Sequence, residues 1–148
     1  MSLRDTLSDD MKAAMRGGEK LRLSTIRFLM SELKNAEISK GKALSEDEEI
    51  EVVQRQVKRR REAVEQYEKG GREELAEKEA AESVILKEYL PKQLTDEELA
   101  GIIKSAVDEP GASSRKEMGK VMGAVMPKVK GRADGARVSR IATEILPS

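Results

Sequence analysis

The chain has no cysteine and no histidine. Without cysteine there is neither a disulfide framework nor a thiolate nucleophile. Without histidine, zinc sites built on His or Cys, Ser-His triads and di-metal bundles with Glu-x-x-His ligands each lose a required member. Aromatic residues are almost missing as well, Phe28, Tyr67 and Tyr89 being the only three, and there are four prolines. A β-rich fold would need more aromatic and β-branched residues and more turn punctuation. No apolar run approaches the roughly 20 residues of a membrane span. The opening stretch "MSLRDTLSDDMKAAMR" is polar and amphipathic, with no signal-peptide core. Together these absences imply a cytoplasmic protein without a membrane segment, and no metal or cofactor is called for.

What is present is charge and helical periodicity. Hydrophobic and charged residues each make up 38% of the 148 positions, and the formal net charge is zero. That profile suits long amphipathic helices, and the expected fold class is all-α. The spacing predicts a first helix over Ser2–Arg16, stopped by Gly17-Gly18, and a second over Leu21–Ser39, burying Leu23, Ile26, Met30 and Leu33. "SEDE" at Ser45 is a capping box with Glu48 and opens a third helix, which runs to Lys69 through Ile50, Val53, Val57, Val64 and Tyr67. Gly70-Gly71 breaks it, and a fourth helix covers Arg72–Tyr89.

Pro91 and "YLPKQLTDEEL" mark a boundary. Thr95 and Glu98 form a second capping box, and Leu94 and Leu99 have hydrophobic-staple spacing. A fifth helix therefore runs from Thr95 to near Val107. Ser114 and Glu117 cap a sixth, stopped by Pro127, and Asp134 caps the seventh. The expected organisation is a helical domain over residues 1–92 and a three-helix unit over 93–148.

Two groups of residues could carry chemistry. In the apolar register of the third helix the odd position is Arg60, and on the fourth helix Leu75, Leu86 and Tyr89 share a face with Glu79 and Glu82. An arginine and two carboxylates then point inward from neighbouring helices. Such buried charges are tolerated when paired. They form either a structural bridge that sets helix register or a pair of catalytic or metal-binding carboxylates; the bridge is the favoured reading, with no catalytic residue and no metal ligand assigned. The basic run "KRRRE" at Lys58–Glu62 reads as a solvated face. The glycines of the GxxxG at Gly119 and Gly123 read as close helix packing, and Met118, Met122 and Met126 as core.

The second group lies in the tail. Residues 112–148 hold eight Lys or Arg against three acidic residues, so this stretch of a neutral chain carries a surplus of five positive charges. Lys120, Lys128, Lys130, Arg132, Arg137 and Arg140 could cluster where the last two helices meet, beside a helix N-terminus that favours anions. Asp134 caps that same N-terminus, and no aromatic follows residue 90 for base stacking. The turn is therefore either a phosphate-contacting surface for RNA or a plain helical corner.

"VKRRREAVEQYEKGGREELAEKEAAESVILKEYLPKQLTDEEL" and "MGKVMGAVMPKVKGRADGARVSRIATEIL" resemble the YqeY family, which shares its C-terminal unit with the tail of the B subunit of the tRNA-dependent Asp/Glu amidotransferase. The resemblance runs from "DDMKAAMR" onward, and its matching tail positions are Met118, Gly119, Met122, Gly131, Ala133, Asp134 and Val138. It implies an all-helical protein, tRNA as a partner of the tail, and work beside an amidotransferase or an aminoacyl-tRNA synthetase. Through the shared domain it also implies the label of a carbon–nitrogen ligase with glutamine as amido-N-donor. Everything catalytic in that amidotransferase lies outside the tail. The expected function is thus a tRNA-related binding or accessory protein without chemistry of its own, with an accessory ligase component or a helical interaction scaffold as alternatives.

Overall fold

The computed structural model describes residues 2–108 and 115–146. These form seven α-helices, one 3-10 turn and no strand. The chain divides into two compact units, Met1–Leu90 and Pro91–Ser148.

The first unit holds α1 (Leu3–Gly17), α2 (Lys20–Lys40), α3 (Glu46–Lys69) and α4 (Glu73–Lys87). Ser2 and Asp5 form a reciprocal capping box at the start of α1, which ends on Gly18 in the left-handed region at φ 68. A side chain there would be strained, which is why glycine serves this stop. At α3 the Ser45 hydroxyl accepts from the Glu48 amide at 3.2 Å, and the Ser45 amide donates to the Glu48 carboxylate at 3.0 Å. α4 ends two residues before the expected Tyr89, and residues 88–90 turn tightly with amide-to-carbonyl bonds three residues back. Leu7, Ile26, Leu29, Leu33, Val52, Val53, Val57 and Leu86 make the core. Leu29 and Val52 were not among the positions expected to be buried, whereas Leu23, Ile50, Val64 and Tyr67 are only half-buried. In α2 and α3 the buried stripe is two residues wide, as packing against more than one neighbouring helix requires.

The Glu48 cap has a pH signature. Lys40 donates to its carboxylate, Ser45 adds further hydrogen bonds, and the group is held down at about 2. A folded pKa below the unfolded one stabilises the fold above the ordinary value of 4.5 and is lost as pH falls from there towards 2. Thermal midpoints of Glu48→Gln should therefore sit below wild type at pH 6 and converge with it near pH 2, as read by circular dichroism.

The second unit holds α5 (Asp96–Asp108), a 3-10 turn (Arg115–Glu117), α6 (Met118–Val129) and α7 (Gly135–Ile145). Leu94, Leu99, Ile103, Val121, Val125, Val129, Val138 and Ile141 are central to its core. The Thr95–Glu98 box closes in both directions, at 3.2 and 3.1 Å. Two local expectations fail. α6 does not stop at Pro127 but continues through it to Val129. Proline removes one hydrogen bond and its ring crowds the carbonyl of Gly123, and full burial of Val129 offsets that cost and holds the turn in place. Glu117 occupies the N-cap position of α6 without a side-chain capping bond, and Ser114 lies outside the described residues.

Candidate functional site

The α6–α7 turn is laced to the segment that precedes α5. Gly131 takes φ 78, which a glycine adopts without strain. The carbonyl of Gly131 accepts from Gln93 Nε2 at 2.7 Å, and that of Arg132 accepts from the Leu94 amide at 2.9 Å. In return, Arg132 Nε donates to the Lys92 carbonyl at 3.3 Å, and Arg137 Nη2 donates to the Leu94 carbonyl at 2.9 Å. Arg137 also donates to Asp96 Oδ1 at 2.8 Å, while Arg140 Nη2 lies 3.5 Å from Asp96 Oδ2. The hydrogen bond from Arg137, with the charges of both arginines, holds the Asp96 carboxyl below its ordinary range. Asp134 caps α7 by accepting from the Arg137 amide at 2.8 Å.

This divides the six tail cations. Arg132, Arg137 and Arg140 tie the turn to residues 92–96 of their own unit. Lys120, Lys128 and Lys130 are exposed. On α6 the first two stand two turns apart, about 12 Å along the axis, off the buried stripe of Val121, Val125 and Val129. The surplus of five charges counted over residues 112–148 also shrinks. Pro91–Ser148 as a whole contains ten Lys or Arg and eight Asp or Glu, because acidic α5 belongs to the same unit. Arg137→Ala should lower the stability of this unit by about 1–2 kcal/mol, discounted for the exposure of Asp96. Chemical denaturation followed by circular dichroism measures it.

Gly119 and Gly123 do not mediate close helix packing. Both are exposed, and among the described residues a Cβ added at either would meet nothing within 4 Å. The GxxxG spacing shows only that two small residues share a face, and here that face looks outward. Met118, Met122 and Met126 pack half-buried against the core.

In the first unit the structure brings Arg60, Glu79 and Glu82 together. Arg60 Nε lies 2.9 Å from Glu82 Oε2 and 3.5 Å from Glu79 Oε2, with only 13% of the arginine side chain exposed. The buried Nε–H makes no well-directed hydrogen bond, so the attraction is chiefly Coulombic. The guanidinium carbon sits 4.8 Å over the Phe28 ring, a cation–π contact. Arg60 Nη1 donates to Gln56 Oε1 at 3.4 Å, and Gln56 Nε2 donates to Glu32 Oε2 at 3.4 Å. Burial, then the neighbouring charge of Glu82, pushes the Glu79 carboxyl up. Gln56, 1% exposed, was not expected from the sequence although it lies in the same register as Val53 and Arg60. Phe28 gave no such signal. Arg60 itself supplies the counter-charge for two carboxylates, and among the described residues no group of three or more acidic side chains could hold a metal ion.

Two helical units, one crossed by a buried arginine–carboxylate network and the other carrying a laced basic turn, define an all-α protein whose conspicuous charged side chains brace its helices and turns. The sequence matches the family described as Yqey-like protein over residues 4–146, and the chain belongs to that family. It is similar to "Altered inheritance of mitochondria protein 41, mitochondrial" of Pyrenophora tritici-repentis, 33% identical over 143 residues, or 95% of this chain and 78% of that protein. The protein of the same name from Kluyveromyces lactis is 34% identical over 129 residues, 82% of this chain and 70% of the relative. These names overturn the cytoplasmic placement expected from the sequence, since both relatives are named as mitochondrial. Lack of a secretory core cannot distinguish one aqueous compartment from another. Among the described residues no helix is long and apolar enough to cross a membrane. The family match brings no evidence of independent catalysis.

Proposed function

We propose that this Yqey-like protein is a tRNA-related binding protein whose C-terminal unit contacts the RNA backbone through Lys120, Lys128 and Lys130, with Arg140 at the edge. The observation that carries the reading is the exposed placement of the three lysines on and just after α6, off its buried stripe. Arg132 and Arg137 serve by holding the turn rigid rather than by gripping phosphate. With no aromatic after residue 90, contacts in this unit go to phosphates and shape, so sequence preference is weak. Work beside an amidotransferase or a synthetase belongs to this reading, with the carbon–nitrogen ligase chemistry supplied by that partner. The test is tRNA retention on filters across a salt series. Affinity should fall steeply with salt; an affinity at low salt no better than that of a neutral control protein ends the reading.

A second reading, the helical interaction scaffold, has one observation in its favour. The open face at Gly119 and Gly123 would let a partner helix approach the backbone of α6 closely.

A further inference from the structure

One side of α2 carries cations that no described carboxylate neutralises. Lys20, Ser24, Arg27, Ser31 and Lys34 follow one another in steps of three and four residues, so they share a side of the helix and span about 21 Å. All five are exposed, and the buried set of Thr25, Ile26, Leu29 and Leu33 lies on the other side of the helix. Several other cations of this unit are paired. Arg22 pairs with Glu88 at 2.5 Å, Lys40 with Glu48, and Arg4 with Glu37 at 2.7 Å, which occupies the carboxylate nearest in sequence to Lys34 on its C-terminal side. Among the described residues Lys20, Arg27 and Lys34 make no ion pair; the one polar contact of Arg27 is with the Met15 sulfur at 3.9 Å.

Both flanks of this row are also unusual. Phe28, the sole phenylalanine, stands between Ser24 and Ser31 and is 40% exposed. Its ring is backed by the guanidinium of Arg60, 4.8 Å from the ring centre. Beside Ser31 and Lys34 a groove of about 310 Å³ opens between α1 and α2, with Leu7, Met30 and Leu33 in its lining. Spaced cations, small hydroxyl side chains between them and an exposed ring alongside match a phosphate backbone with unstacked bases. A lipid surface would instead require large apolar residues where Ser24 and Ser31 stand.

We infer that the outer face of α2 binds a single-stranded segment of nucleic acid, with Lys20, Arg27 and Lys34 on phosphates and Phe28 stacking a base. This surface is separate from the lysines of the tail and does not depend on them.

Fluorescence anisotropy of the full chain with 20-nucleotide oligouridylate and oligothymidylate, from 50 to 200 mM salt, tests it. The variant Lys20→Ala/Arg27→Ala/Lys34→Ala alters only exposed side chains and should keep the helical signal. It should bind at least tenfold more weakly at 50 mM, with the log–log salt slope reduced by about two units because three phosphates go unneutralised. Phe28→Leu should weaken binding with the slope unchanged, and Phe28→Tyr, which keeps the ring, should restore it. The tighter of the two oligonucleotides identifies RNA or DNA as the source of the strand. Unchanged affinity and slope in the triple variant overturn the inference, as does binding to anionic phosphatidylserine vesicles without binding to either oligonucleotide. Loss of all binding only in Lys120→Ala/Lys128→Ala/Lys130→Ala overturns the α2 surface and leaves the tail. Loss only in the α2 variant does the reverse.

Discussion

Replacing Lys120, Lys128 and Lys130 together with alanine is expected to flatten the salt dependence of tRNA binding by about two to three log units per log unit of salt, at 0.7–0.9 for each phosphate no longer neutralised. Over a fourfold change in salt this amounts to a roughly 20- to 40-fold difference in how far affinity falls. The fold should survive, because all three side chains are exposed and the core of the unit is made by Leu94, Leu99, Val121, Val125, Val129 and Val138. Arg137→Ala provides the contrast. Its guanidinium joins the Leu94 carbonyl to Asp96, so any effect on binding should follow loss of structure and shrink once corrected for the folded fraction. Equal salt slopes for wild type and the triple lysine variant, with tRNA still bound, would remove these lysines from the interface.

Arg60→Ala should destabilise the first unit strongly. It strips the counter-charge from two carboxylates whose side chains are 13% and 23% exposed. It also removes the cation stacked on Phe28. Removal of one partner of a buried ion pair costs about 3–5 kcal/mol, and the residual exposure places this case at about 3 kcal/mol. The two carboxylates should not respond alike. Glu79 has its carboxyl pushed up by burial and by Glu82. A carboxyl raised above its unfolded value binds its proton more tightly in the folded state, so ionised Glu79 opposes folding at neutral pH, and that penalty disappears as pH falls through the folded value. Glu79→Gln should therefore be neutral or slightly stabilising at pH 7. Glu82→Gln, which removes the 2.9 Å ion pair, should cost more. Urea denaturation at pH 7 and pH 5 measures both differences. A loss below about 0.5 kcal/mol for Arg60→Ala, the range of ordinary surface substitutions, would show that the cluster does not brace the helices.

The sequence by itself determined the helices and most of their ends. Ser45 with Glu48 and Thr95 with Glu98 are local devices, closed within one turn, so their chemistry is visible in four consecutive residues. Gly18 and Gly41 stop helices for an equally local reason, a positive φ. Arg60 stood out because a charge interrupted an apolar register. Tertiary structure decided what no local pattern contains. Burial of Val129 carried α6 through Pro127. The lacing of residues 92–96 onto the α6–α7 turn joins groups some 40 positions apart, and it engages Arg132 and Arg137 as struts within their own unit. The open face at Gly119 and Gly123 and the unpaired cations of α2 belong to the same class. Whether a glycine packs or a lysine finds a carboxylate depends on which distant helix arrives opposite it, and only the assembled fold supplies that neighbour.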